Sequence, residues 1–144
     1  MISFKFIKTS DPDYPRERAL RWEMIHKPMG LPPGAEICPE DEKGLHLIAL
    51  EKKEVIGCIL FSPISDTKGK IVQLALAELH NHQGFGRKLL HHLENYLFEK
   101  GFKELECTVK KENLNFFERL GFHDDKITAF DEDIVVHKQL HEVK

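Results

Sequence analysis

The chain has no apolar run long enough to cross a membrane, and its first residues, Met-Ile-Ser-Phe-Lys-Phe-Ile-Lys, lack the plan of a secretion signal. Those absences predict a cytoplasmic protein with no membrane partner. Cysteine is scarce: Cys38, Cys58 and Cys107 are too few and too scattered for a disulfide framework or a zinc motif, so no metal is expected. An excess of positive charge is also missing. With 21 Lys and Arg against 24 Asp and Glu the formal net charge is −3, which argues against a general nucleic-acid binder. Repeats, low-complexity tracts and inter-domain linkers are not seen. What is there is a globular composition, 41% hydrophobic and 31% charged over 144 residues, and it predicts a single domain, 1–144, with room for a core.

Alternation predicts a strand over 2–8. Asp11-Pro12-Asp13 predicts a helix start, with the helix running to about His26 and burying Leu20 and Met24, with Trp22 beside them. Pro28, Gly30, Pro32, Pro33, Gly34 and Pro39 make 28–43 a long loop, of the kind that walls a substrate cleft. Strands at 45–50 and 54–62 flank a charged turn, and a nearly continuous apolar strand covers 71–77. A helix after residue 84 places Leu89, Leu90, Leu93 and Leu97 on one face and ends at Gly101. A strand at 102–109, a short helix at 112–119 and a hairpin of 127–130 with 133–140, turning at Asp131 and Glu132, complete the order. The predicted class is α/β of the α+β kind: a mixed, mainly antiparallel sheet flanked by helices.

The most informative stretch runs from Gln73 to Leu90. An apolar strand meets a short polar loop, two glycines one residue apart (Gly84 and Gly86), and an amphipathic helix. Such a junction aims backbone N–H groups at one point at the positive end of the helix dipole, which suits an anion, most often a phosphate. Glycine lets phosphate approach the backbone. A dinucleotide fold would want a third glycine at the first strand, and a nucleoside-triphosphate loop would end in Gly-Lys-Ser/Thr, whereas here Arg87, Lys88 and Leu89 follow Gly86.

Leu74-Ala75-Leu76 followed by Asn81-His82-Gln83-Gly84-Phe85-Gly86 resembles the acetyl-CoA motif of the GNAT superfamily of N-acetyltransferases, a Leu-Ala-Val strand and a Gln/Arg-x-x-Gly-x-Gly/Ala loop. Asn115-Phe-Phe-Glu-Arg-Leu-Gly-Phe122 is similar to that family's Phe-Tyr-x-x-Leu-Gly-Phe. Leu20-Arg-Trp-Glu-Met-Ile-His-Lys-Pro-Met-Gly30 resembles the Leu-Arg-x-x-Val-Leu-Arg-x-Pro-Leu-Gly opening of one branch, which ends in Phe-x-Glu-x-Gly-Ile-x-His; Phe130, Glu132 and His137 keep that pattern here, with Ile134 in place of its glycine.

The resemblance implies a GNAT-like acyl-CoA acyltransferase fold and transfer of an acetyl group from acetyl-CoA to an amine of a small molecule or protein. It implies that Asn81, His82, Gln83, Gly84, Phe85, Gly86 and Arg87 hold the pyrophosphate. Leu74, Ala75 and Leu76 would pair with the pantetheine arm between strands that splay apart, and the Leu76 N–H would polarise the thioester carbonyl. Phe116 would pack on the arm and Asn113 would hydrogen-bond it. Glu132 and His137 are the candidate bases for the amine, with Glu78 and His80 as rivals. Phe117 replaces the Tyr often proposed to protonate the departing thiolate, and this favours an alternative, a catalytically weakened acyl-CoA-binding sensor or interaction domain. A third reading is a phosphate-binding structural domain. The acceptor amine and the oligomeric state, with homodimers common in such enzymes, stay open.

Overall fold

The structure is a computed structural model describing residues 1–77, 84–124 and 133–141. Strand β1 (Ile2–Ile7) leads to helix α1 (Tyr14–Arg21), which loosens into a π-turn (Trp22–His26) and a 3-10 turn (Lys27–Met29). The expected helix end at His26 therefore falls at the close of the π-turn. The Pro- and Gly-rich segment contains the one-turn helix α2 (Glu40–Lys43), in a region where composition predicted loop throughout. Then come β2 (Leu45–Glu51), β3 (Glu54–Pro63), β4 (Lys68–Leu76), α3 (Phe85–Glu99), β5 (Glu104–Lys110), a 3-10 turn (Lys111–Asn113), α4 (Leu114–Arg119), β6 (His123–Asp124) and β7 (Asp133–Gln139).

These strands form one sheet in the order β1-β2-β3-β4-β5-β7-β6. All neighbours are antiparallel except β4 and β5, which α3 joins as a parallel pair. The mixed, mainly antiparallel sheet matches the expectation. The strand expected at 127–130 and its turn lie outside the described residues. On the edge away from β5, β7 pairs with His123–Asp124 among the described residues, with His123 opposite His137.

Alternating side chains divide the core between the two faces of the sheet. On one face α3 packs Leu89, Leu90, Leu93 and Leu97 against Leu47, Ile59, Ile71 and Leu105, and α4 adds Phe117. The opposite face carries α1, where Ile7, Leu20, Ile48, Cys58 and Ala75 form a smaller apolar cluster.

That second face is also fastened by buried charge. Arg21 is completely buried, and its guanidinium spends every donor. Nε binds Gln73 Oε1 (2.9 Å) and Nη1 binds Glu17 (2.8 Å) and Asp41 (3.1 Å). Nη2 binds Asp41 (2.8 Å) and the Glu36 carbonyl. The planar fork suits this bidentate arrangement in a way that a lysine ammonium cannot. Asp41 also accepts from the Tyr14 hydroxyl and from the Cys38 backbone N–H (3.3 Å). A short helix that propensity alone would not hold is thus fixed by tertiary bonds.

Removing one partner from a buried pair strands the other charge without water. Asp41→Ala is expected to lower unfolding free energy by about 3 kcal/mol or more, measured by urea denaturation, and Arg21→Lys is expected to be clearly destabilising as well. Losses below about 0.5 kcal/mol for both would contradict this assignment.

Candidate active site

Strands β4 and β5 begin as partners and then part. The parallel register covers only Lys68 with Glu104, Gly69 with Leu105, Lys70 with Glu106 and Ile71 with Cys107. Lys68 clamps this closed end by ion pairs to Glu104 and Glu106, each 3.1 Å. One residue later β4 carries a bulge. Leu60 of β3 faces Gln73 while Phe61 faces Ile71, so Val72 is the inserted residue. A bulge bends and twists its strand. Beyond it, residues 72–76 have β3 on one side and no described strand on the other.

The Ala77 N–H donates to the Ile56 carbonyl (2.8 Å), which fixes the alternation along this pair. Ala75 and Gln73 turn their backbone polar groups toward β3; Leu74 and Leu76 turn theirs toward the opening. An extended ligand would find an N–H and a C=O from each of them, in the manner of an added strand.

Helix α3 starts at the mouth of this opening. Gly84, its N-cap, adopts φ +68°, a left-handed conformation that glycine enters without Cβ strain. The Lys88 N–H donates to the Gly84 carbonyl (3.3 Å), closing the first turn of α3 directly behind this glycine. Gly86 is buried, and a Cβ there would meet Leu76 Cδ1 at 3.0 Å and Phe116 Cζ at 3.7 Å. Those two distances put the end of β4, the start of α3 and the α4 ring of Phe116 side by side. The first turn holds no acid and carries two exposed cations, Arg87 and Lys88, the reverse of what a helix N-terminus prefers unless an anion sits there. Arg87 is additionally tied to α4, donating from Nη2 to the Arg119 carbonyl (2.6 Å).

The structure thus gathers Leu74, Ala75, Leu76, Gly84, Phe85, Gly86, Arg87 and Phe116 around one place, although Phe85 itself is a core ring lying against Gly57. Asn113 is the exposed N-cap residue of α4 and makes no side-chain cap bond. Phe117 is 8% exposed and packs edge-to-face on Phe116 and Phe122, with centroids 5.3 and 5.7 Å apart. Asn81, His82, Gln83 and Glu132, and the rivals Glu78 and His80, lie outside the described residues.

His137 is not brought to this place. It faces Glu106 of β5, which in turn faces Lys70 of β4, and its Nδ1 lies 3.1 Å from Glu104 at the closed end. Leu76 is six residues beyond Lys70, roughly 20 Å along an extended strand. A base in direct contact with an amine at Leu76 therefore cannot be His137; its separation follows from strand register, which a linear motif does not carry.

Sequence reasoning also missed the polar cluster that borders β4 on the α1 side. Gln73 receives Arg21 Nε on its Oε1 and donates from Nε2 to the Glu36 carbonyl (2.9 Å), with Cys38 Sγ at 3.6 Å. Behind it, His46 places Nδ1 at 2.8 Å from Glu17 and Nε2 at 2.8 Å from the Asp41 carbonyl. Two acceptors require two N–H donors, so the geometry holds the imidazolium. A histidine inside the apolar run 45–49 was the available signal. Burial works against the charged ring, but the Glu17 carboxylate and the Asp41 carbonyl outweigh it and raise its pKa from 6.5. Burial likewise opposes ionisation of Asp41, and Arg21 and Tyr14 overcome it, bringing its pKa down to about 2. The Cys38 thiol is pushed up to about 11 by burial and by Asp41, and Cys107 to about 12 chiefly by burial, which leaves neither as a nucleophile near neutrality.

A profile of the acetyltransferase (GNAT) family matches residues 6–122, and the chain belongs to that family. The fold is shared with solved structures at low identity. A Lactobacillus plantarum protein provisionally named an N-acetyltransferase aligns with TM-score 0.83 and 20% identity, covering 97% of this chain and 99% of that one. The PaiA N-acetyltransferase of Thermoplasma acidophilum, in complex with coenzyme A, gives 0.75 and 20% over 95% and 99%. A GNAT family acetyltransferase of Elizabethkingia anophelis with acetyl-CoA bound gives 0.74 and 18% over 96% and 98%. No helix among the described residues is long and apolar enough to cross a membrane, and no group of His, Cys, Asp and Glu among them converges as a metal site would.

The His46 contribution to stability is complete below pH 6.5 and is lost as pH rises through its raised folded value; that of Asp41 is present above 3.8 and lost as pH falls toward 2. Urea unfolding is expected to show the greatest stability between these limbs and a decline from pH 6 to pH 9. His46→Gln should flatten the alkaline decline. An unchanged slope in that variant would assign the pH dependence elsewhere.

Proposed function

We propose that this protein transfers the acetyl group of acetyl-CoA directly to an amine, with the opening between β4 and β5 as the thioester site. The parting of those strands at the N-terminus of α3 is the observation that supports it most strongly. Gly86 lets the start of α3 close against Leu76 and Phe116, and Arg87 and Lys88 supply charge for a diphosphate at the helix N-terminus. The backbones of Leu74 and Leu76 align the pantetheine arm, and the Leu76 N–H donates to the thioester carbonyl, where charge develops during attack. Phe116 flanks the arm, and Asn113 is placed on the adjoining helix start.

Acetyl-CoA supplies the acyl group as a thioester. The amine nitrogen forms a bond to the carbonyl carbon while the carbon–sulfur bond breaks; the amine loses a proton to a base, and the thiolate takes one up. With His137 at the closed end, Glu132 remains the candidate base, with Glu78 and His80 as rivals. The α3 face is filled by the main core, so the amine enters from the α1 side. We place the protein in the cytoplasm as part of this reading, a compartment in keeping with three free thiols. Phe117 supports a second reading, an acyl-CoA sensor, because a buried phenyl ring donates no proton. Turnover appearing only in Phe117→Tyr would favour that reading.

Isothermal calorimetry with acetyl-CoA and CoA is expected to show 1:1 binding, absent with NAD. Arg87→Glu should weaken binding about tenfold by placing an acid beside the diphosphate. Amine-dependent release of free thiol from acetyl-CoA tests transfer. No heat of binding for either ligand would overturn the reading.

A further inference from the structure

The α1 side of the opening has an apolar rim. Ile37 lies between two residues anchored to Gln73, Glu36 through its carbonyl and Cys38 through its sulfur, so it is held beside β4 next to the opening. It is nevertheless 51% exposed. Across the opening, Thr108 is the first residue of β5 without a β4 partner, and Val135 of β7 stands beside it in register. Ile134 and Val136 point into the α3-side core, so Val135, 42% exposed, faces the α1 side. The same connection that carries Ile37 exposes Met29 (51%) and Leu31 (39%), the latter fixed through its carbonyl by the Trp22 indole N–H (3.1 Å). Scattered exposed apolar residues need no explanation, but a set on one pinned segment at a cleft does.

Charge on this wall is already consumed. Glu36 pairs with Arg18 (2.9 Å), Glu40 with Lys70 (3.5 Å) and Asp41 with Arg21 (2.8 Å). A second ammonium on the acceptor would find no spare carboxylate in the segment 36–41, and it would have to be desolvated against Ile37.

We infer that the acceptor is a primary amine borne next to an apolar group, seated on the α1 side across the opening with Ile37 at one edge and Val135 at the other. The inference rests on the acetyltransferase reading and specifies its second substrate. Polyamines are disfavoured acceptors. Ile37 and Val135 offer apolar side chains to the acceptor and contribute none of the backbone groups that align the thioester, so they act on specificity.

The test uses the full chain, acetyl-CoA, and two probes, 2-phenylethylamine and spermidine, with thiol release followed at fixed pH. The wild type is expected to favour 2-phenylethylamine by about tenfold or more in kcat/KM. Ile37→Asp and Val135→Asp, both at exposed positions, should each raise KM for 2-phenylethylamine about tenfold, leaving the Kd for acetyl-CoA within twofold and the thermal midpoint close to wild type. Preference for spermidine, failure to acetylate the apolar amine despite acetyl-CoA binding, or an unchanged KM in both variants overturns the inference. Absence of acetyl-CoA binding in the wild type overturns the acetyltransferase reading instead.

Discussion

Between Val72 and Leu76, strand β4 has a described partner on one side only. A strand edge in the interior of a sheet is an unusual thing to leave open, because each exposed N–H and C=O invites pairing. Here the edge is created by a single inserted residue at Val72 and by the end of the parallel register at Ile71 and Cys107. The rest of the molecule keeps that parting in place. Lys68 and its two glutamates hold the closed end, and the main core fixes β4 against α3 from below. The Arg21 cluster fixes it from above through Gln73.

Rigidity on one side and chemistry on the other follow from this division. The α3 face is a packed apolar layer whose surface at the opening is set by Leu76, Gly86 and Phe116. The α1 face is held by directional bonds among charged groups, with Glu17, Arg21, Asp41 and His46 nearly or fully buried. Directional bonds fix the height and angle of the segment 36–41 more closely than apolar contact would, at the cost of strong sensitivity to loss of any partner. A cleft wall that must hold its place beside a strand benefits from that trade.

Much of this fold could be read in the chain. Alternation found β1, two apolar runs around a charged turn found the β2–β3 hairpin, and the 3.6-residue repeat of Leu89, Leu90, Leu93 and Leu97 found α3 and the face it buries. The glycine pair pointed to the start of α3, and Gly84 does hold the left-handed conformation there. Strand β4 begins at Lys68, earlier than its apolar run, because Lys68 and Lys70 are strand residues whose charges are met by glutamates on β5 and α2. Nothing in a charged tripeptide announces partners that lie some thirty positions away. The bulge at Val72 is equally silent, since a β-branched residue there fits a regular strand as well. The Arg21 cluster joins positions 17, 21, 36, 41, 46 and 73, and no spacing rule links them. The distance between His137 and Leu76 depends on two strand registers, which a shared motif does not specify.

The direct test of the central claim is amide hydrogen exchange, read residue by residue by NMR, with and without acetyl-CoA. The Leu74 and Leu76 amides face the opening and should exchange readily in the free protein, then slow by an order of magnitude or more once the ligand binds. The Ala77 amide, already bonded to Ile56, should change little. Tight binding that leaves Leu74 and Leu76 exchanging as before, with new protection appearing elsewhere, would contradict the account.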